Sequence, residues 1–288
     1  MNVMEKIIKN EQNSKVGFAE QNRIEQRFAE LKKENKKAFI TYVTACFPDY
    51  EHTIDILFSQ EKAGVDVVEL GVPFSDPIAD GPVIQSASFE AIQKGANLVK
   101  TFECVKQARE KGLKMPIIFM LYYNTICFYG IENFIKKCNE VGVDGIIVPD
   151  LPFEEQDDLQ RAIDNNSKDK TIIIQLVSPV SRDRMDMILK DARGFVYCVS
   201  SMGVTGQGGN FHREVSNYLE SVKEKTDIPV MLGFGIRTFD DISKLIDKVD
   251  GAIVGTHFIE VLRENDFSVD EAYKYSKEFK DALDLAVK

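Results

Sequence analysis

Residues 65–82 read V-D-V-V-E-L-G-V-P-F-S-D-P-I-A-D-G-P. The opening six residues form a nearly continuous apolar run, the pattern of a strand buried on both faces of a parallel sheet. The loop after this run is unusually stiff. Pro73, Pro77 and Pro82 restrict its backbone, while Gly71 and Gly81 permit tight turns.

The same unit recurs along the chain. Strand-like runs occupy 38–44, 65–70, 116–122, 145–149, 171–177, 195–200, 229–233 and 251–255. Amphipathic stretches near 50–63, 100–112, 131–141, 153–165, 182–191, 213–225, 238–247 and 268–285 separate them as helices. Eight strands alternating with helices predict an α/β fold of the closed (β/α)8 barrel type, which needs about 250 residues. A doubly wound open sheet is the alternative. The turns Ala63-Gly64-Val65-Asp66, Val141-Gly142-Val143-Asp144 and Val249-Asp250-Gly251 feed strands at the barrel bottom, with Gly64 and Gly142 suited to left-handed helix caps. Ile24, Phe28 and Leu31 sit at helical spacing within 22–35, an extra N-terminal helix closing that bottom. Residues 1–20 are polar and read as a flexible extension, with the barrel domain spanning 21–288.

Composition excludes several classes. The formal net charge of −10 opposes binding to nucleic acid or anionic membranes through the overall field. No apolar run approaches a membrane span of roughly 18 residues, and no signal or transit peptide is read. Cys46, Cys104, Cys127, Cys138 and Cys198 are odd in number and lack C-x-x-C spacing, which predicts free thiols in a reducing cytoplasm. His52, His212 and His257 are scattered, so no metal site is expected.

Strand alternation places Glu69 inward with Val67, at the C-terminal strand end where this fold carries its chemistry. Desolvation there raises a carboxyl pKa towards neutrality, suiting Glu69 to acid–base work. The bland alternative, an ion pair with a basic residue on a neighbouring strand, finds no obvious partner in the sequence. Asp80 reads two ways: a carboxylate held over the barrel mouth, or an N-cap for a helix at 83–94. Asp76, before Pro77, has a similar turn-forming alternative.

Glycine concentrates after the last three strands, in M-G-V-T-G-Q-G-G-N at 202–210, G-F-G-I at 233–236, and Gly255-Thr256 opening a short helical pattern from His257 to Arg263. Clusters on consecutive strand ends predict a phosphate site of backbone N–H groups and a short helix N-terminus, with 202–210 as a lid.

Taken together, 69–82, Tyr122-Tyr123-Asn124, Val148-Pro149-Asp150-Leu151-Pro152, Gly203-Val204-Thr205-Gly206, Gly233-Phe234-Gly235-Ile236 and Gly255-Thr256 resemble the tryptophan synthase alpha subunit family in order and spacing. The resemblance spans about 22–285. It implies a lyase that splits indole-3-glycerol phosphate into indole and glyceraldehyde 3-phosphate, with Glu69 as general acid/base and Asp80 accepting the indole N–H. It further implies Tyr42, Tyr122 and Tyr197 in the substrate pocket, although packing at the barrel mouth would also explain them. Thr205 falls on the lid residue that orders the Asp80 loop. Phe234, Gly206, Gly235, Gly255 and Thr256 fall on substrate and phosphate positions. Pro73 and Asp76 fall on the loop facing a beta subunit, in an α2β2 complex whose pyridoxal phosphate belongs to the partner; no cofactor is implied in this chain. A free-standing lyase would use the same residues, and a silent partner-activating barrel would not need them. Three positions depart from the family pattern. Cys46-Phe47-Pro48 replaces a common Gly-Asp-Pro, Thr256 stands where Ser is common, and Ser201 where some members have Arg.

Overall fold

The computed structural model describes residues 22–166, 170–199, 209–233 and 235–286. The expected extension at 1–20, and Ser201, Thr205, Gly206 and Phe234, lie outside them. The first helix, α1 (Arg23–Glu34), starts where the Asn22 side chain accepts the Ile24 N–H and stops at left-handed Asn35. Its apolar stripe of Ile24, Phe28 and Leu31 packs with Ala38, Ile40, Val67, Ile118, Phe195 and Met231. The helix is thus the predicted plug.

After it come β1 (Ala38–Thr44), α2 (Tyr50–Ala63), β2 (Val67–Gly71), α3 (Pro82–Gln93), α4 (Leu98–Glu110) and β3 (Ile117–Met120). Next are α5 (Tyr123–Tyr129), α6 (Ile131–Val141), β4 (Gly145–Ile147), α7 (Asp157–Asn165), β5 (Ile172–Ile173), β6 (Gln175–Val177) and α8 (Met185–Leu189). The chain continues through β7 (Val196–Val199), α9 (Gly209–Lys223), β8 (Val230–Gly233), α10 (Phe239–Ser243), β9 (Gly251–Val254), α11 (Thr256–Glu264) and α12 (Val269–Leu285).

All strand pairs are parallel, in the order β5-β4-β3-β2-β1-β9-β8-β7-β6. The two outermost strands are one continuous stretch of chain. Ile172–Ile173 pairs with β4, the Ile174 N–H reaches Ile146 O at 2.9 Å, and Gln175–Val177 pairs with β7. The single strand expected at 171–177 therefore splits, because the stagger of a closed barrel transfers its hydrogen bonds from one neighbour to the other. Closure excludes the open sheet.

The short helix α5 was not foreseen: Tyr123–Tyr129 buries only Ile126, too little to mark a stripe. The helices expected at 153–165, 182–191 and 238–247 are shorter, with 3-10 turns at Phe153–Glu155, Pro179–Arg184 and Ile246–Lys248. Gly64 and Gly142 cap α2 and α6 at φ 92° and 87°. The aspartates beside these turns have a shared task. Asp66, Asp144 and Asp250 precede β2, β4 and β9 and accept the N–H of Phe39, Ile117 and Val230 at 2.8, 2.9 and 2.8 Å. Each pins the strand next to its own, and each carries cations: Arg27 and Lys280, Arg23 and Arg109, and Lys223. This charged layer closes the N-terminal face and leaves the opposite face for chemistry.

Candidate active site

Alternation along β2 sends Val68 and Leu70 outward to the helices and Val67 into the barrel lining. Glu69 therefore faces inward, as read from the sequence. It is 1% exposed, and its Oε1 has no hydrogen-bond partner among the described residues. Burial alone pushes its pKa up to about 8, so Glu69 carries its proton at neutral pH.

Asp80 is brought into the same space by the proline-rich loop. Tyr122 Oη donates to Asp80 Oδ2 at 3.0 Å and accepts the Ala79 N–H at 2.9 Å. Phe74 stacks on the Tyr122 ring at 5.0 Å and holds it. The N-cap of α3 is Gly81, with no side-chain cap bond, so Asp80 does not cap. Burial raises the Asp80 pKa, and the Tyr122 bond opposes that rise.

Tyr42 and Tyr197 complete the wall. Each leans over a glycine on the neighbouring strand. A Cβ on Gly71 would lie 1.9 Å from Tyr42 Oη, and one on Gly233 would lie 2.5 Å from the Tyr197 ring. Burial raises both phenol pKa values, and the charges of Asp80 and Glu69 add to the effect. Glu69, Asp80, Tyr42, Tyr122 and Tyr197 thus converge on one mouth. Beside them opens a cavity of about 330 Å³, walled by Ala79, Met120, Val148, Leu176, Tyr197 and Val199. Its size and apolar lining fit a small aromatic ligand. Met120 and Leu176 were missed in the sequence, although strand alternation from Ile118 and Ile174 would have found them. A wider cleft of about 780 Å³ lies at the opposite face, but its Arg23, Arg27 and Arg109 are already bound to Asp144 and Asp66.

Two of the glycines expected to hold phosphate, Gly235 and Gly255, follow the adjacent strands β8 and β9. Gly235 has φ 72° and open space where a side chain would stand. Gly255 is the N-cap of α11 and Thr256 its first residue, with no acid in the first turn to repel an anion. Pro73 is buried within the chain and Asp76 is exposed. In the departing segment, Cys46 takes a left-handed φ of 58°, a conformation that favours glycine. Phe47 is buried edge-on to Phe267 at 5.0 Å, under the Arg263 guanidinium at 4.9 Å. Among the described residues no cluster suited to a metal ion occurs, and no helix is long and apolar enough to cross a membrane.

The sequence model of the tryptophan synthase alpha chain family matches residues 28–287. The chain belongs to this family. The tryptophan synthase alpha chain of Lachnospira eligens is 59% identical over 262 residues, covering 91% of this chain and 99% of its own. That of Alkaliphilus metalliredigens is 44% identical over 88% of this chain and 95% of its own. A crystal structure of tryptophan synthase subunit alpha from Legionella pneumophila superposes with a TM-score of 0.84 at 32% identity, over 92% of this chain and 99% of that one. Tryptophan synthase alpha chains cleave indole-3-glycerol phosphate in tryptophan biosynthesis; the chain is a carbon–carbon lyase of that kind, and the family needs no cofactor of its own for this step.

Proposed function

We propose that Glu69 is the single acid–base group of the cleavage and that Asp80 stabilises the ring cation. Neutral Glu69 gives its proton to indole C3. Its carboxylate then takes the proton of the adjacent side-chain hydroxyl as the C3–C1′ bond breaks. The bonding pair returns to the ring, leaving indole and an aldehyde, glyceraldehyde 3-phosphate. One proton is given and one taken, so Glu69 ends as it began. Asp80, with Oδ2 on Tyr122, accepts the indole N–H through its free valences and offsets the charge formed on C3 protonation. Gly235, Gly255 and Thr256, with Gly206 and Phe234 from beyond the described residues, hold the phosphate end, and Thr205 orders the lid. The observation that carries this reading is a buried Glu69, its Oε1 without a partner among the described residues, at the mouth of the barrel.

The decisive assay is indole release from indole-3-glycerol phosphate by the purified chain, with and without a beta subunit; no release in either condition would sink the reading. For Asp80→Asn, kcat is expected to fall roughly 10²–10³-fold with KM little changed, since the lost charge acts mainly on the cation. A rise in KM alone would make Asp80 a binding group only.

The family pairs with a beta subunit, and an α2β2 assembly with pyridoxal phosphate in the partner fits this chain. So does a cytoplasmic site, given its free thiols. At the C-terminal face Ile78, Phe128 and Val180 are 82%, 95% and 86% exposed, on the segments after β2, β3 and β6. Exposed apolar side chains around one mouth are what a docked subunit would cover. Phe128→Asp is expected to weaken beta-subunit binding about tenfold or more without shifting the Tm of the isolated chain. An unchanged Kd in a titration would remove Phe128 from the interface.

A further inference from the structure

Two of the motifs that carry the family resemblance, Tyr122-Tyr123-Asn124 and Val148-Pro149-Asp150-Leu151-Pro152, meet in the fold. β3 and β4 are neighbours, and their ladder runs one residue past β3, with Leu121 N–H reaching Ile147 O at 3.1 Å. Two residues on, at the next step of a parallel ladder, Tyr123 N–H turns to a side chain instead. Asp150 Oδ1 accepts it at 2.9 Å. Both sides of this bond suit it. Residues 148–151 form a tight turn closed by Leu151 N–H to Val148 O at 3.1 Å, with Pro149 in its second position and Pro152 following. Leu151 is buried, so the turn is anchored and presents Asp150 from a stiffened backbone. On the receiving side, α5 is weakly held. It has 7 residues, its one buried residue is Ile126, and its N-cap, Tyr122, supplies no side-chain cap bond. The Asp150 carboxylate takes the place of the missing cap.

Tyr122 lies between this anchor and the Asp80 loop. Its backbone is extended, at φ −89° and ψ 144°, where the chain leaves the strand and enters α5. Its hydroxyl donates to Asp80 Oδ2 at 3.0 Å and accepts the Ala79 N–H at 2.9 Å. A tyrosine ring pivots on its own Cα, so a shift in the start of α5 carries the hydroxyl with it. Phe74 stacks on the ring from the loop side, but it does not hold the backbone from which the ring hangs. A misplacement of about 1 Å at a reacting group can cost up to about 10²-fold in rate.

The geometry points to Asp150 as a positioning residue: by capping α5 from the end of the neighbouring strand it fixes the start of that helix, and through Tyr122 it sets where Asp80 stands. The inference rests on the role proposed for Asp80. Asp150 is exposed, so truncating it leaves no buried group behind and tests position rather than folding.

The test uses Asp150→Ala, which removes the acceptor, and Asp150→Asn, which keeps one, in the full chain. For Asp150→Ala the kcat of indole release should fall about tenfold with KM within about threefold of the parent. Asp150→Asn should stay within about threefold of the parent in both. In a Tyr122→Phe background, where the hydroxyl link is already gone, Asp150→Ala should cost less than about twofold more. The same loss in both backgrounds, a parental kcat for Asp150→Ala, or an Asp150→Asn as slow as Asp150→Ala would overturn the inference. Amide hydrogen exchange gives a readout free of catalysis. The Ala79 N–H should exchange about tenfold faster or more in Asp150→Ala and in Tyr122→Phe, and at the parental rate in Asp150→Asn. Unchanged Ala79 exchange in Asp150→Ala refutes the positioning role whether or not indole is released. If Ala79 exchange responds as expected while the parent releases no indole, or while Asp80→Asn costs nothing, the lyase reading of Asp80 falls and the link from Asp150 to Tyr122 stands.

Discussion

Glu69→Gln removes indole release by roughly 10²–10⁴-fold or more and flattens the dependence of stability on pH. Both effects come from one buried proton. The amide is nearly isosteric but can neither give a proton to C3 nor receive one from the hydroxyl. The stability effect arises through linkage. In the unfolded chain Glu69 ionises near its ordinary value of 4.5, and in the folded chain it holds its proton until about 8. Between those values the folded state binds more protons than the unfolded one. Its contribution is fully present below pH 4.5 and is lost as pH rises through about 8. By pH 7 the loss reaches about 3 kcal/mol at most, from 2.5 pH units above the ordinary value. Glutamine has no such dependence. The Tm of Glu69→Gln, measured against the parent from pH 5 to 8, should therefore gain steadily with pH. A difference that stays constant would mean that Glu69 is ionised in the folded enzyme. The parent's kcat/KM should fall on the alkaline side near pH 8, as the acid form is lost.

Asp66→Ala is expected to cost about 3–5 kcal/mol, roughly 10 °C in Tm, with kcat unchanged wherever the protein remains folded. Asp66 is fully buried below β2. It accepts Arg27 Nε at 2.9 Å and the Phe39 N–H at 2.8 Å, and pairs with Lys280 at 3.0 Å. The Lys280 side chain is 7% exposed and, among the described residues, would keep Asp284 and the Lys37 carbonyl. The cost arises mainly from a buried ammonium and a strand N–H left under-paired rather than from the attraction itself. Asp66→Asn should cost less, because it retains a carbonyl for the Phe39 N–H. Urea unfolding gives the number directly, and a loss below about 1 kcal/mol would show that the layer is solvated and replaceable.

Much of this was legible from local patterns. Alternation placed Glu69 inward, the spacing of Ile24, Phe28 and Leu31 marked the plug, and the glycines at 64 and 142 marked left-handed caps. Each of these depends on a residue's immediate neighbours. Helix α5 escaped because one buried residue makes no periodicity, and the split at Ile174 escaped because it depends on which strands lie on either side.

Asp80 and Tyr42 show the boundary most clearly. Alone, the sequence determined that a parallel α/β barrel would form, that Glu69 would meet low dielectric, and that the glycines would gather behind the last strands. Covalent order and side-chain periodicity are enough for that. Whether Asp80 capped a helix or faced the barrel mouth depended on Tyr122, 42 residues away, donating to it. Whether Tyr42 could lean across the neighbouring strand depended on Gly71 standing there without a side chain. Those outcomes are contacts between distant segments, and only the tertiary fold could decide which polar groups it satisfied and which it left open for a substrate.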